Sequence, residues 1–164
     1  MNRKIIIVSF LIAILVIVLA YVILTSSPSS TVLSVYPQTV QGIADQNFTI
    51  NVTISNVADL FGWELKLRWN PSLLDVTNVT EGPFLRSTDQ TFFSPQVNNT
   101  EGQLIADCSL VGNISGASGQ GTLMIVQFNV KESGTCDLNL HDTQLLNSSE
   151  QLITHTVHDG HFGA

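Results

Sequence analysis

The sequence predicts an all-β domain, a nine-stranded antiparallel sandwich, preceded by one N-terminal transmembrane helix. Three observations carry that prediction. From Val32 onward the apolar residues recur with period two rather than 3.6. Short clusters of Asn, Gly, Ser and Pro interrupt them, and no stretch beyond residue 31 repeats apolar residues at helical spacing. Residues 5–24, IIIVSFLIAILVIVLAYVIL, form a run of 20 without charge, Gly or Pro. Of the 164 residues 44% are hydrophobic and only 12% charged, and this run explains the positive mean hydropathy.

A helix of 20 residues spans about 30 Å, the thickness of a bilayer's hydrocarbon core. Arg3 and Lys4 precede it, within a short cytoplasmic segment (1–4), and the next basic residue is Lys66. The positive-inside tendency therefore keeps the N-terminus cytoplasmic and places the chain beyond residue 25 outside the cell. A cleaved secretory signal is the alternative, with Thr25-Ser26-Ser27 as its cleavage context, and would make the protein secreted. The length of the apolar run favours a retained anchor. Residues 25–31, TSSPSST, read as a polar tether, and residues 32–164 as one domain, too short for a two-domain enzyme. Only Lys66, Arg68, Arg86 and Lys131 face 13 acids beyond the run, a net charge of −9. No basic stripe for nucleic acid can be drawn.

The strands are expected in order at TVLSVY (31–36), QNFTINVTIS (46–55), the alternating segment 61–69, LLDVTNV (73–79), QTFFSPQV (90–97), QLIADCSL (103–110), TLMIVQFNV (122–130), CDLNLHDTQLL (136–146) and QLITHTVHDGHF (151–162). In the second, Phe48, Ile50, Val52 and Ile54 share one face, with Asn47, Thr49, Asn51 and Thr53 on the other. In the third, Phe61, Trp63, Leu65, Leu67 and Trp69 alternate with Gly62, Glu64, Lys66 and Arg68. Two sheets with one core between them satisfy this pattern.

Two further features agree with an extracytoplasmic domain. N-glycosylation acceptors stand at Asn47, Asn51, Asn78, Asn98, Asn113 and Asn147, whereas 12 Asn and 31 Ser or Thr would produce about two by chance. Cys108 and Cys136 suit neither metal-ligand nor redox spacing. Both take inward parity, so a disulfide between them is expected, with a pair of buried free thiols as the alternative.

The stretch NFTINVTISNVADLFGWELKLRWNPSLLDVTNV (47–79) resembles the second to fourth strands of cohesin domains. EGQLIADCSLVG (101–112), GTLMIVQFNVKESGTCDLNL (121–140) and THTVHDGHF (154–162) resemble the later ones. The resemblance spans about residues 32–162. It implies a nine-stranded jelly roll, related to certain carbohydrate-binding modules, that docks dockerin modules carried chiefly by polysaccharide-degrading enzymes. It also implies a docking face on the sheet of the third, fifth, sixth and eighth strands. By strand position the outward residues there are Gly62, Glu64, Lys66, Arg68, Ile105, Asp107 and Ser109. Glu64 falls where many cohesins have an acidic contact, while Gly62 departs from the Asn often found two positions before it. A retained anchor with many acceptors suits an archaeal cell surface.

The remaining chemistry is sparse. His155, His158 and His161 accompany Asp159, but strand parity separates them and predicts no metal site. No catalytic or nucleotide-binding motif occurs, so no enzyme activity and no cofactor is expected. The calcium loop that marks a dockerin is absent too, so the chain is not its own partner. Two other readings remain. One is a direct carbohydrate-binding module using Phe84, Phe92 and Phe93, since Trp63 and Trp69 take inward parity. The other is a pilin-like subunit, for which residues 2–4 lack the Gly expected at a processing site.

Overall fold

The computed structural model describes residues 30–163. The cytoplasmic segment 1–4, the anchor 5–24 and nearly all of the tether lie outside the described residues. Among the described residues no helix is long and apolar enough to cross a membrane. In chain order the elements are β1 (Thr31–Tyr36), β2 (Thr39–Gln41), β3 (Asn47–Arg68), β4 (Leu74–Glu81), α1 (Pro83–Arg86), β5 (Thr91–Asn98), β6 (Gln103–Leu110), β7 (Ala117–Val130), β8 (Thr135–Asn147), β9 (His155–His158) and β10 (Gly160–Gly163).

The alternation of apolar and polar residues becomes two sheets that share one strand. The first half of β3 pairs with β1 and β7, which pair in turn with β9 and β4. Its second half pairs with β6 and β8, which continue to β5 and to β10 and β2. The first sheet is thus β9-β1-β3-β7-β4, and the second β2-β10-β8-β3-β6-β5. The segments expected as separate second and third strands are one strand of 22 residues. The final expected strand is instead two, because the chain leaves the first sheet after β9 and joins the second as β10. With the short β2, ten strands replace the nine expected.

The passage of β3 between sheets has a local cause. Asn56 (φ 54°) and Asp59 (φ 57°) take the left-handed backbone conformation, and the pairing with β7 slips on either side of Val57. Asn and Asp tolerate that region better than other side chains. Two left-handed residues three apart bend the strand without ending it. The Asp59 carboxylate then ties the bend to its surroundings. It accepts from Gly116 N–H at 2.7 Å and from the Ser148 hydroxyl at 2.6 Å, while Asp59 N–H donates to Ser118 Oγ at 2.9 Å. The Ser148 and Gly116 bonds hold its carboxyl below the usual aspartate range.

Both halves of β3 deliver their inward residues to one core. Ile50, Val52 and Ile54 from the first and Trp63, Leu65, Leu67 from the second are buried with Leu104, Phe128 and Leu140. At one end Phe48 stacks on Phe128 and on Phe162, each 5.3 Å away, and Trp69 meets Phe128 edge-on at 5.4 Å. These rings join the two sheets, since Phe128 lies on β7 and Phe162 on β10. The Trp69 indole donates to Leu74 carbonyl at 2.9 Å, closing the Asn-Pro-Ser turn into β4. Gly102 has φ +65°, and a Cβ there would meet the Trp69 carbonyl oxygen at 2.3 Å. Only glycine fits that turn between β5 and β6.

The expected disulfide does not form: Cys108 and Cys136 are free thiols. The inward parity holds, with Cys108 buried and Cys136 packed against the core. The register separates them. Cys108 lies opposite Trp63, which lies opposite Leu145, nine residues along β8 from Cys136. At about 3.3 Å per residue that is about 30 Å, several times the reach of a disulfide. Burial, then the nearby Glu81 charge, pushes the Cys108 thiol up to about 12, and burial raises Cys136. Alkylation of the unfolded chain without reductant should therefore label both cysteines. Native Cys108 should resist labelling at pH 8, and an unfolded chain that takes up label at neither cysteine until reductant is added would contradict the register.

A second outcome concerns Asp59. Replacing it by Asn keeps a residue that tolerates the left-handed backbone but removes the charge. Its folded carboxyl lies below the unfolded value of about 3.9, so its stabilisation is complete above about pH 4 and fades as pH falls through the folded value. Asp59→Asn should lower the melting temperature at pH 7, with the gap from wild type closing below about pH 4. Thermal unfolding followed by circular dichroism across pH 2–7 checks this. A gap that stays constant across that range would mean that the charge has no part in the clasp.

Candidate functional site: the outer face of the second sheet

The second sheet turns one face to the core and the other outward. On the outward face the register stacks residues from four neighbouring strands into rows. Phe92, Ser109, Gly62 and Leu146 form one row. Next come Ser94, Asp107, Glu64 and Gln144, and then Gln96, Ile105, Lys66 and His141. A last row holds Asn98, Gln103, Arg68 and Asn139. The seven residues singled out in the sequence, Gly62, Glu64, Lys66, Arg68, Ile105, Asp107 and Ser109, thus lie together on adjacent strands.

The first row is large at its ends and small in its middle. The floor of a depression of about 200 Å³ sits at Gly62 and Ser109, and Glu64, Asp107, Gln144 and Leu146 line it further. Phe92, 63% exposed, stands at the β5 end of the row. A Cβ on Gly62 would approach the Cys108 carbonyl oxygen to 3.3 Å and begin to fill the hollow.

The second row sets Glu64 directly opposite Asp107. Like charges in that position repel, and among the described residues neither carboxylate has an ion-pair partner. The third row is neutralised from within. Lys66 Nζ lies 2.9 Å from Asp142 Oδ2, which also sits 3.3 Å from His141 Nδ1. The Lys66 bond and charge, then His141, hold the Asp142 carboxyl below its ordinary value. Among the described residues Arg68 has no carboxylate within ion-pair distance. From one end to the other the face is a shallow hollow, an uncompensated acidic pair, and a basic end.

The β8 side of this face was not legible in the sequence. A bulge between His141 and Gln144 inserts one residue and reverses the inward-outward count along β8. Asp142 in the left-handed region (φ 47°) is its one local signal.

The other singled-out residues are dispersed. Phe84 is buried in α1, Phe93 leans on Trp63 with ring centres 6.1 Å apart, and Trp63 and Trp69 are each 3% exposed. Phe92 alone of these rings is available for sugar stacking. The three histidines do not share a strand: His155 and His158 are on β9, His161 on β10. His155 bonds the Thr143 hydroxyl and the Ile153 carbonyl, and His161 pairs with Asp137. Asn47, Asn51 and Asn78 lie on the first sheet, whereas Asn98, Asn113 and Asn147 stand at strand ends or in loops.

The fold is thus a sandwich with one strand shared by both sheets and an open, chemically graded outer face. The chain belongs to the cohesin domain family, whose model matches residues 33–161. Among solved structures it is similar to a non-cellulosomal cohesin from the hyperthermophilic archaeon Archaeoglobus fulgidus, at 20% identity and a TM-score of 0.69, covering 82% of this chain and 90% of that one. A type II cohesin domain from the cellulosome of Acetivibrio cellulolyticus matches at 15% identity and a TM-score of 0.72, covering 82% and 95%. The sixth cohesin from scaffoldin B of the same organism, solved in complex with a mutant Cel5 dockerin, matches at 14% identity and 0.68, covering 82% and 99%. Among curated proteins no sequence match was found.

Proposed function

We propose that this chain is a non-enzymatic docking module, held at the outer side of a membrane by residues 5–24, that captures dockerin-type protein modules. The observation that supports this reading is the Glu64–Asp107 couple, without an ion-pair partner among the described residues, beside the Gly62 hollow, on the sheet face that the resemblance to cohesins implies for docking. Two carboxylates directly opposite each other on neighbouring strands, without a basic side chain of the described residues beside them, carry an electrostatic cost. A partner that brings a basic side chain to them relieves it and gains orientation and on-rate. The hollow accepts an adjoining apolar side chain, with Leu146 in its wall and Phe92 at the far end of the same row. Arg68 at the far end, which unlike Lys66 has no carboxylate at ion-pair distance among the described residues, disfavours a partner laid in the opposite sense. A partner carried by a polysaccharide-degrading enzyme would place that enzyme at the cell surface.

The decisive measurement uses the full-length chain in detergent or nanodiscs against dockerin modules encoded in the same genome. Calcium-dependent binding is expected. Glu64→Lys should weaken it about tenfold or more through the loss of a charge pair in the interface. Equal affinity of wild type and variant would remove this face from the site. Retention by polysaccharide alone, with no dockerin bound, would favour the sugar-binding alternative.

A further inference from the structure

The outer face of the first sheet has a different chemistry. Apart from Asp75 at one corner, paired with Lys131 at 3.4 Å, and His158 on β9, its outward positions carry no ionisable acid or base except the phenol of Tyr36. They are chiefly Ser, Thr, Asn and Gln. Three of the six Asn-x-Ser/Thr acceptors converge there. Asn47 and Asn51 lie on β3, and Asn78 lies on β4 in the row of Thr49 and Gln127. In a strand, residues two apart share a face, so Thr49, Thr53 and Thr80, the hydroxyl residues of these acceptors, point the same way as their asparagines. Asn47 and Asn78 are exposed and Asn51 half-buried. Asn47 accepts from Asn129 through its carbonyl oxygen, which leaves its amide nitrogen without a partner among the described residues.

We propose that this face is a glycan coat, modified on Asn47, Asn51 and Asn78, and that the first sugar on Asn51 packs against Tyr36. Tyr36 is directly opposite Asn51 in the β1–β3 register and is 63% exposed. A pyranose ring attached to Asn51 brings its aliphatic face over that aromatic ring and covers apolar surface otherwise in water. The donor is a lipid-linked oligosaccharide. The Asn amide nitrogen forms a bond to the anomeric carbon, the bond from that carbon to the lipid phosphate breaks, the phosphate leaves with the electron pair, and the amide releases one proton. Glycans here supply the hydration that charges supply elsewhere, and they stand on the sheet opposite the Glu64–Asp107 face, leaving it bare. Asn98 and Asn113 lie instead at opposite ends of the second sheet, one at each end of β6.

This inference rests on the extracytoplasmic placement proposed above, but not on the identity of any docking partner. The test is glycopeptide mass spectrometry of the full chain purified from its own cells, together with protease treatment of the intact cells. Oligosaccharide on the peptides of Asn47, Asn51 and Asn78 is the expected result. Protease-accessible chain with these three sites bare overturns the coat and leaves the placement standing. Protease-protected, unmodified chain overturns both. For the Tyr36 contact, the melting-temperature cost of Asn51→Gln in native-source protein should shrink when combined with Tyr36→Ala. An unchanged cost removes that contact.

Discussion

Everything in this sandwich depends on one strand belonging to two sheets. β3 supplies the central pairing of both layers, and its left-handed residues Asn56 and Asp59 set where it passes from one to the other. Because side chains alternate along a strand, the bend must keep the inward parity of Ile54 while delivering that of Trp63. The Asp59 carboxylate holds the bend against the entry to β7 and the turn after β8. The core and both outer faces inherit their registers from this arrangement.

The two outer faces then diverge in chemistry although they share a strand. The first half of β3 turns Asn and Thr outward, the second half Glu, Lys and Arg. On the charged face, the order of the rows sets the Glu64–Asp107 pair beside the hollow left by the small side chains of Gly62 and Ser109. On the other, the same period-two rule places each acceptor Asn and its Thr on one side. A single geometric period thus produces a face suited to recognition and a face suited to modification.

Much of this was readable from spacing alone. Alternation at 46–55 and 61–69 identified the inward residues and, through the resemblance to cohesins, the outward set on β3 and β6. Positions whose neighbours depend on distant pairing were not readable. Residues 56–60, with Asn56 and Asp59, fall between the two expected strands, since Asn and Asp interrupt alternation equally well whether the strand resumes in the same sheet or the next. The segment 151–162 read as one strand, although its inward parity changes at Asp159, from His155 and Val157 on β9 to Gly160 and Phe162 on β10. The bulge at Asp142 concealed the contributions of His141, Gln144 and Leu146.

The cysteines mark the division most clearly. Their inward parity is a local property, set by each strand's own alternation, and the sequence by itself determined it, along with the all-β class and the inward residues of both halves of β3. Whether two inward residues meet depends on which strands lie between them and on how far each is offset along its neighbour. That offset is fixed by the bends in β3 and the bulge in β8, which alternation does not encode. Only the tertiary structure decided that Cys108 and Cys136 stand far apart, and that Glu64 and Asp107 stand opposite each other with no basic side chain of the described residues paired to either.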